Sequence, residues 1–146
     1  MAREKAVATG YSGTPLLKKL GVKPGARCAL LDAPEPWPEG LAGDEVTWET
    51  VLAAPTADGE APYDVIVAFV RSRAALERGF ARLERALGKA GGLWFAWPKR
   101  ASGVATDLTE DVVRATALGG GLVDNKVCAI DATWSGLRCV RRLKDR

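Results

Sequence analysis

The stretch GGLWFAWPK, residues 91–99, decides the fold of this chain, because a glycine pair leads into a compact aromatic run that a proline ends. Such a run is typical of a buried β-strand followed by a loop. Downstream, Asp107 and Glu110 precede an apolar helical periodicity and predict a capping box, and the glycines at 119–121 predict the helix end. This part of the chain is therefore expected to form a strand, a loop and a capped helix.

The C-terminal segment predicts an antiparallel hairpin. Its strands are expected at residues 126–131 and 137–142, with a turn at 133–136. The polar triplet at 124–126 precedes the first of these strands, so we interpret it as a structural turn at the opposite edge of the sheet from the hairpin turn.

The middle of the chain predicts a parallel sheet. Residues 64–70 are an apolar run without alternation, as expected for a strand that is covered on both faces. Ser72 is a candidate cap for the next helix, whose apolar residues at helical spacing are Leu76, Phe80, Leu83 and Leu87. Further strands are expected at 27–31 and near 46–48. We therefore predict an α/β fold, a Rossmann-like three-layer sandwich with a mostly parallel sheet and a C-terminal antiparallel hairpin.

Length and composition predict one domain, because 146 residues with 47% hydrophobic content can bury a continuous core. We expect residues 1–13 to form a loose N-terminal arm and residues 14–146 to form the domain. The domain would begin with a short helix that Thr14 caps, in which Pro15 is the first residue and which Gly21 ends.

The absence of histidine excludes Ser-His-Asp and Cys-His nucleophile systems and histidine-ligated zinc sites. Cys28, Cys128 and Cys139 share no C-x-x-C spacing, which argues against a zinc site and a disulfide framework. We interpret them as small apolar residues, with a redox pair of Cys128 and Cys139 across the hairpin as the alternative. No catalytic residue, metal or cofactor is predicted.

Charge and hydropathy bear on whether the protein binds nucleic acid or a membrane. The net charge of +3 is mild and lies mainly on one predicted helix and the C-terminal tail, so nucleic-acid binding is not favoured. The longest apolar run, residues 65–70, is too short to cross a bilayer. These features predict a cytoplasmic protein without a membrane partner.

Two resemblances add to this interpretation. Residues 63–67, the amphipathic helix, Gly91-Gly92 and the aromatic strand resemble the second half of class I methyltransferases, whose sheet also ends in an antiparallel strand. That resemblance implies a reduced methyltransferase-like fold. The glycine-rich turn that normally follows the first strand is replaced by DAPEPW at 32–37, which argues against standard S-adenosylmethionine binding.

The chain also resembles the bacterial family named domain of unknown function 3052. The motifs that carry this resemblance are GYSGTPL at 10–16, AWPK at 96–99, SG at 102–103, TDLT at 106–109, LVDNKVC at 122–128 and TWSGLR at 133–138. The resemblance implies the same fold in a bacterial cytoplasmic setting and names no activity.

The predicted sheet also predicts where a ligand binds, because ligands of open parallel sheets lie at the carboxyl ends of the strands. The candidate ligand-binding residues follow four strands at this edge: Asp32, Arg71, Lys99, Arg100, Ser102, Asp131, Trp134 and Ser135. The cations and the nearby helix N-terminus favour an anionic ligand. The alternative is that these residues are solvated or only close turns.

We therefore predict a non-enzymatic domain that binds a small anionic or nucleotide-like ligand at this edge. Trp134 is the candidate for stacking on a planar base, although strand tryptophans usually belong to the core. The alternatives are a degenerate S-adenosylmethionine-dependent methyltransferase-like enzyme and a protein-interaction module.

Overall fold

The computed structural model describes residues 14–55 and 61–146, so the predicted arm at 1–13 lies outside the described residues. The helices are α1 (Leu16–Lys19), α2 (Arg73–Ala86) and α3 (Glu110–Gly119), with 3-10 turns at Arg100–Ser102 and Leu143–Asp145. The strands are β1 (Cys28–Leu31), β2 (Trp48–Glu49), β3 (Tyr63–Phe69), β4 (Leu87–Pro98), β5 (Leu122–Ala129) and β6 (Trp134–Arg141).

The strands form a six-stranded sheet in the order β2-β1-β3-β4-β6-β5. Strands β1 to β4 are mutually parallel, and β6 runs antiparallel between β4 and β5. This arrangement confirms the predicted α/β fold with a mostly parallel sheet and a C-terminal hairpin. It also brings the carboxyl ends of β1, β3 and β4 to one edge.

The core has a layer on each face of the sheet. Helices α2 and α3 cover one face, where the predicted stripe of Leu76, Phe80 and Leu83 is buried. The small helix α1 and the loop between β1 and β2 cover the other face. There the fully buried Trp94 donates from its indole Nε1 to the carbonyl of Leu20, at 3.0 Å, which ties α1 to the sheet.

The helix ends agree with the prediction in two places. The Ser72 hydroxyl accepts the Ala75 N–H at 3.1 Å and caps α2, as predicted. Gly21 ends α1 with a φ of +83°, which glycine adopts without strain. Helix α1 itself begins at Leu16, with Pro15 in the cap position, one residue later than Thr14 predicted.

The predicted capping box of Asp107 and Glu110 is wrong. Thr109 caps α3, and its hydroxyl accepts the Val112 N–H at 3.2 Å. The Asp107 carboxylate instead accepts the N–H of Arg73, the first residue of α2, at 2.8 Å. Asp107 therefore caps the neighbouring helix, because the loop that carries it packs beside the start of α2.

The hairpin turn is also shifted from its predicted position. It occupies residues 130–133, so Trp134 begins β6 and does not lie in a turn. The polar triplet at 124–126 lies inside β5 and not before it, and the pairing register shifts between Asp124 and Lys126. This bulge absorbs an extra residue, which explains why the triplet has the composition of a turn.

The cysteines are structural. Cys128 pairs with Gly136, whereas Cys139 pairs with Asp124, and the two thiols pack on opposite faces of the sheet, so the redox-pair alternative is wrong. Burial raises the pKa of Cys139 to about 12 and that of Cys28 to about 11.

Among residues 14–55 and 61–146, no cluster of metal ligands is present, and no helix has the length and apolar character to span a membrane.

Candidate functional site

The turn after β1 begins with Asp32, which has a φ of +57°. Such a left-handed backbone is uncommon for residues other than glycine, although aspartate tolerates it better than most. The Asp32 carbonyl accepts a hydrogen bond from Nη1 of Arg71 at 3.0 Å. The chain therefore bends sharply at the end of β1 without a glycine, and Arg71 holds the bend.

Arg71 crosses this edge of the sheet. It follows β3, and its guanidinium carbon lies 5.0 Å from the ring centroid of Trp134, the first residue of β6, in a cation–π contact. The Trp134 ring also meets Phe69 edge-on, with centroids 5.0 Å apart. Trp134 is only 6% exposed, so a planar ligand would reach its ring face only by displacing Arg71.

Thr106 fixes Arg71 from the loop between β4 and α3. Its hydroxyl donates to the Arg71 carbonyl at 2.8 Å and accepts the Leu108 N–H at 3.1 Å. We refer to Asp32, Arg71, Thr106 and Trp134 as the edge cluster. Thr106 is not among the predicted site residues, although it lies in the TDLT motif at 106–109, which carries the family resemblance and the predicted helix cap.

Asp131 sets the position of Trp134. Its carboxylate accepts the backbone N–H groups of Thr133 and Trp134, both at 2.8 Å, and closes the hairpin turn. Thr133 in turn accepts the backbone N–H of Lys99 at 2.8 Å through its carbonyl. Asp131 and Lys99 therefore flank the edge cluster.

The hydrogen bonds and strand pairings of the remaining predicted residues lie outside the edge cluster. The Ser102 hydroxyl donates to the Lys99 carbonyl at 2.6 Å and accepts the Val104 N–H at 3.2 Å, so it closes a 3-10 turn. Arg100 is exposed in that turn, and Ser135 lies in β6, paired with Trp97 and Ala129. The predicted site thus divides into a connected centre and flanking residues with structural contacts.

The edge cluster and its flanks carry both signs of charge. Asp32 and Asp131 are acidic, and Arg71 and Lys99 are basic. Within the described ranges no charged side chain is buried, so the edge holds no desolvated acid or base. Such a surface can bind a ligand with both a cationic and an anionic group.

Glu49, at the end of β2, is engaged by the chain itself. Its carboxylate accepts from Arg27 Nε at 2.6 Å and from the Tyr63 hydroxyl at 2.6 Å. These two hydrogen bonds lower the pKa of Glu49 to about 2, and the bond from Arg27 has the larger effect. In dinucleotide-binding Rossmann domains an acidic residue about 20 positions after the glycine loop binds the ribose. Glu49 instead joins β2 to β1 and β3.

This chain is similar to known proteins in its three-dimensional structure. No family model and no curated protein matches this chain, so the resemblance to domain of unknown function 3052 stays a prediction. The ribosomal protein L11 methylase of Lactobacillus delbrueckii subsp. bulgaricus has a TM-score of 0.52 at 13% identity, covering 87% of this chain and 75% of its own. Two further structures similar to this chain are those of magnesium protoporphyrin IX methyltransferase (ChlM) of Synechocystis PCC 6803, solved with bound SAM and with bound SAH.

The SAM-bound structure has a TM-score of 0.56 at 12% identity, covering 87% of this chain and 74% of its own. The SAH-bound structure has a TM-score of 0.54 at 12% identity, covering 86% of this chain and 78% of its own. At these identities the likeness extends to the fold alone. The described chain has the Rossmann-like α/β fold of class I methyltransferases.

Proposed function

We propose that the protein binds a small nucleoside with an amino-acid group, of the S-adenosylmethionine and S-adenosylhomocysteine type, at the edge cluster. The observation that carries this proposal is Arg71, which spans from the Asp32 carbonyl to the Trp134 ring at the carboxyl ends of the parallel strands. The magnesium protoporphyrin IX methyltransferase structures with bound SAM and SAH support this choice of ligand class.

The mixed charge of the edge suits such a ligand. The amino-acid group carries a carboxylate and an ammonium, for which Arg71 and Asp32 are complementary partners. Arg71 now donates to a neutral carbonyl, and a hydrogen bond to a ligand carboxylate would be stronger because both of its partners are charged. Lys99, beside the hairpin turn, adds a second cation for the same carboxylate.

The loop after β1 limits the affinity. Its residues 33–36 include two prolines, which donate no backbone hydrogen bond, and Glu49 is already bonded to Arg27 and Tyr63. The ligand would therefore lack two contacts that dinucleotide-binding Rossmann domains use. We expect weak binding that depends on Arg71.

The test is a thermal-shift and calorimetric titration with S-adenosylhomocysteine, S-adenosylmethionine, adenosine and ATP. At a ligand concentration of about 100 times Kd, binding stabilises the folded state by about 2.7 kcal/mol. For a chain of this size that corresponds to a Tm increase of roughly 5 to 10 °C. A shift with S-adenosylhomocysteine that exceeds the shift with adenosine supports the proposal.

Arg71→Ala should weaken this binding about ten-fold or more, because a hydrogen bond to a charged group is lost. Arg71→Lys retains the charge but not the planar guanidinium, so its affinity should lie between those of the wild-type chain and Arg71→Ala. Arg78→Ala is the matched control, since Arg78 is exposed on α2 away from the edge. Equal affinity in Arg71→Ala and Arg78→Ala, or no binding by the wild-type chain, would refute the proposal.

The second candidate is a degenerate methyltransferase, which the structural likeness to the SAM-bound enzyme favours over a purely non-enzymatic domain. Transfer of radioactive methyl from S-adenosylmethionine to cell extract separates the two functions, since a binding domain gives no labelled product.

The protein-interaction alternative has less support. The large exposed apolar residues of the described chain lie on separate elements: Val51, Val104, Leu118, Val127 and Leu143.

A further inference from the structure

A cavity lies at the edge of the sheet opposite the edge cluster. It has a volume of about 620 Å³ and is bounded by the end of α1, the loop before β1 and the paired strands β5 and β6. Its charged lining residues are the cations Lys18, Lys19, Lys23, Lys126 and Arg138 and the single acid Asp64. The volume is within the range of small-molecule sites, about 300 to 1,000 Å³.

Arg138 carries the strongest indication of a ligand. It lies on β6, paired with Trp94 of β4 and Lys126 of β5, and its guanidinium packs so closely on Gly92 that any side chain there would clash with it. Within residues 14–55 and 61–146, no carboxylate forms an ion pair with Arg138 and no acceptor bonds its guanidinium. Burial, together with the charge of Arg146, lowers the pKa of Arg138.

Neither Lys126 nor Asp64 neutralises the charge of Arg138. Lys126 reaches across the cavity, and its ammonium donates to the Lys19 carbonyl at 2.9 Å, which orients the group without neutralising it. The one acid, Asp64, accepts the backbone N–H of Arg27 at 2.8 Å. Asp64 is the one carboxylate among the described lining residues, and it forms no ion pair with Arg138 or Lys126. A half-buried cation without a counter-charge is costly unless an anion binds beside it.

We propose that this cavity binds a small, multiply charged phosphate compound, with Arg138 and Lys126 as its principal ligands. A single carboxylate would offset only one of these two cations, whereas a diphosphate carries enough negative charge for both. The planar guanidinium of Arg138 also fits two phosphate oxygens at once. Asn125, exposed at the bulge of β5, adds an uncharged amide to the lining.

The site is independent of the proposed S-adenosyl site. None of its lining residues belongs to the edge cluster, and the two sites lie at opposite ends of β3, where Asp64 is near the start and Arg71 follows the end. Substitutions at one site are therefore expected to leave the other unchanged.

The test is isothermal titration of the full chain with pyrophosphate, using inorganic phosphate and acetate for comparison. Pyrophosphate should bind more tightly than phosphate, and acetate should not bind. Arg138→Gln and Lys126→Ala should each weaken pyrophosphate binding about ten-fold. The exposed Arg82→Ala on α2 and the edge variant Arg71→Ala should retain wild-type affinity.

Lys126 is exposed, so Lys126→Ala gives a folded variant even if Arg138→Gln does not. Retained affinity in Lys126→Ala together with retained affinity in any folded Arg138→Gln protein would overturn the proposal. So would the absence of pyrophosphate binding by the wild-type chain. Binding of a DNA oligonucleotide without any pyrophosphate binding would also overturn it, by assigning the charge to a nucleic-acid surface.

Discussion

Asp107→Ala is the substitution that most directly tests how the edge of the sheet is held. The Asp107 carboxylate accepts the N–H of Arg73 at 2.8 Å, and this group is one of the four at the start of α2 that have no partner within the helix. Loss of a capping acceptor costs about 1 kcal/mol of unfolding free energy. The side chain is exposed, which keeps the cost near this value and below that of a buried bond.

The assay is urea unfolding followed by circular dichroism, together with the thermal midpoint. For a chain of 146 residues, a loss of about 1 kcal/mol lowers Tm by roughly 3 °C. Asp107→Asn keeps an oxygen acceptor and loses only the charge that favours the helix N-terminus, so it should cost about 0.3 kcal/mol. Asp44→Ala is the control, because Asp44 is exposed in the loop between β1 and β2.

Hydrogen exchange distinguishes the two helices. Asp107→Ala should speed exchange of the Arg73 amide and leave that of Val112 unchanged, whereas Thr109→Ala should do the reverse. Faster exchange at Val112 in Asp107→Ala would show that Asp107 caps α3 after all. An unfolding free energy equal to that of Asp44→Ala would show that the contact contributes nothing.

Two further predictions concern Glu49 and the glycines at the end of α3. Because the folded-state pKa of Glu49 is lowered to about 2, its ion pair should stabilise the protein above the ordinary value of 4.5 and lose that effect as pH falls towards 2. Glu49→Gln should lack this part of the acid dependence in urea titrations at several pH values, and an unchanged profile would contradict it. Gly121 has a φ of +92°, so Gly121→Ala should cost about 1 kcal/mol, whereas Gly119→Ala, in open space at the last residue of α3, should be neutral or stabilising. Equal unfolding free energies for the two variants would refute the role of the backbone angle.

The sequence predicted the sheet where the determinants are local. The apolar run at 64–70 and the Ser72 cap depend on neighbours within a few residues, and both agree with β3 and α2. Asp107 was misassigned because its partner, Arg73, is 34 residues away along the chain. The turn of the hairpin was misplaced because the Asp131 carboxylate closes it before Trp134, and the TWSG motif by itself resembles a turn.

The candidate site shows the same division. Topology rules predicted the edge that holds Asp32, Arg71 and Trp134, because parallel strands end together. The contact of Arg71 with Trp134 was not predictable, since it depends on β6 lying antiparallel beside β4. The absence of a carboxylate partner for Arg138 among residues 14–55 and 61–146 was equally hidden, because it is a property of the packed sheet and not of any local motif.

The two outer strands of the sheet have a consequence for behaviour at high concentration. Strand β2 has only two residues, and β5 is interrupted by its bulge and carries exposed polar side chains at Asn125 and Lys126. Short, bulged or charged outer strands leave few aligned backbone groups for another chain to extend the sheet. The sheet is therefore protected at both margins against growth into intermolecular β-aggregates.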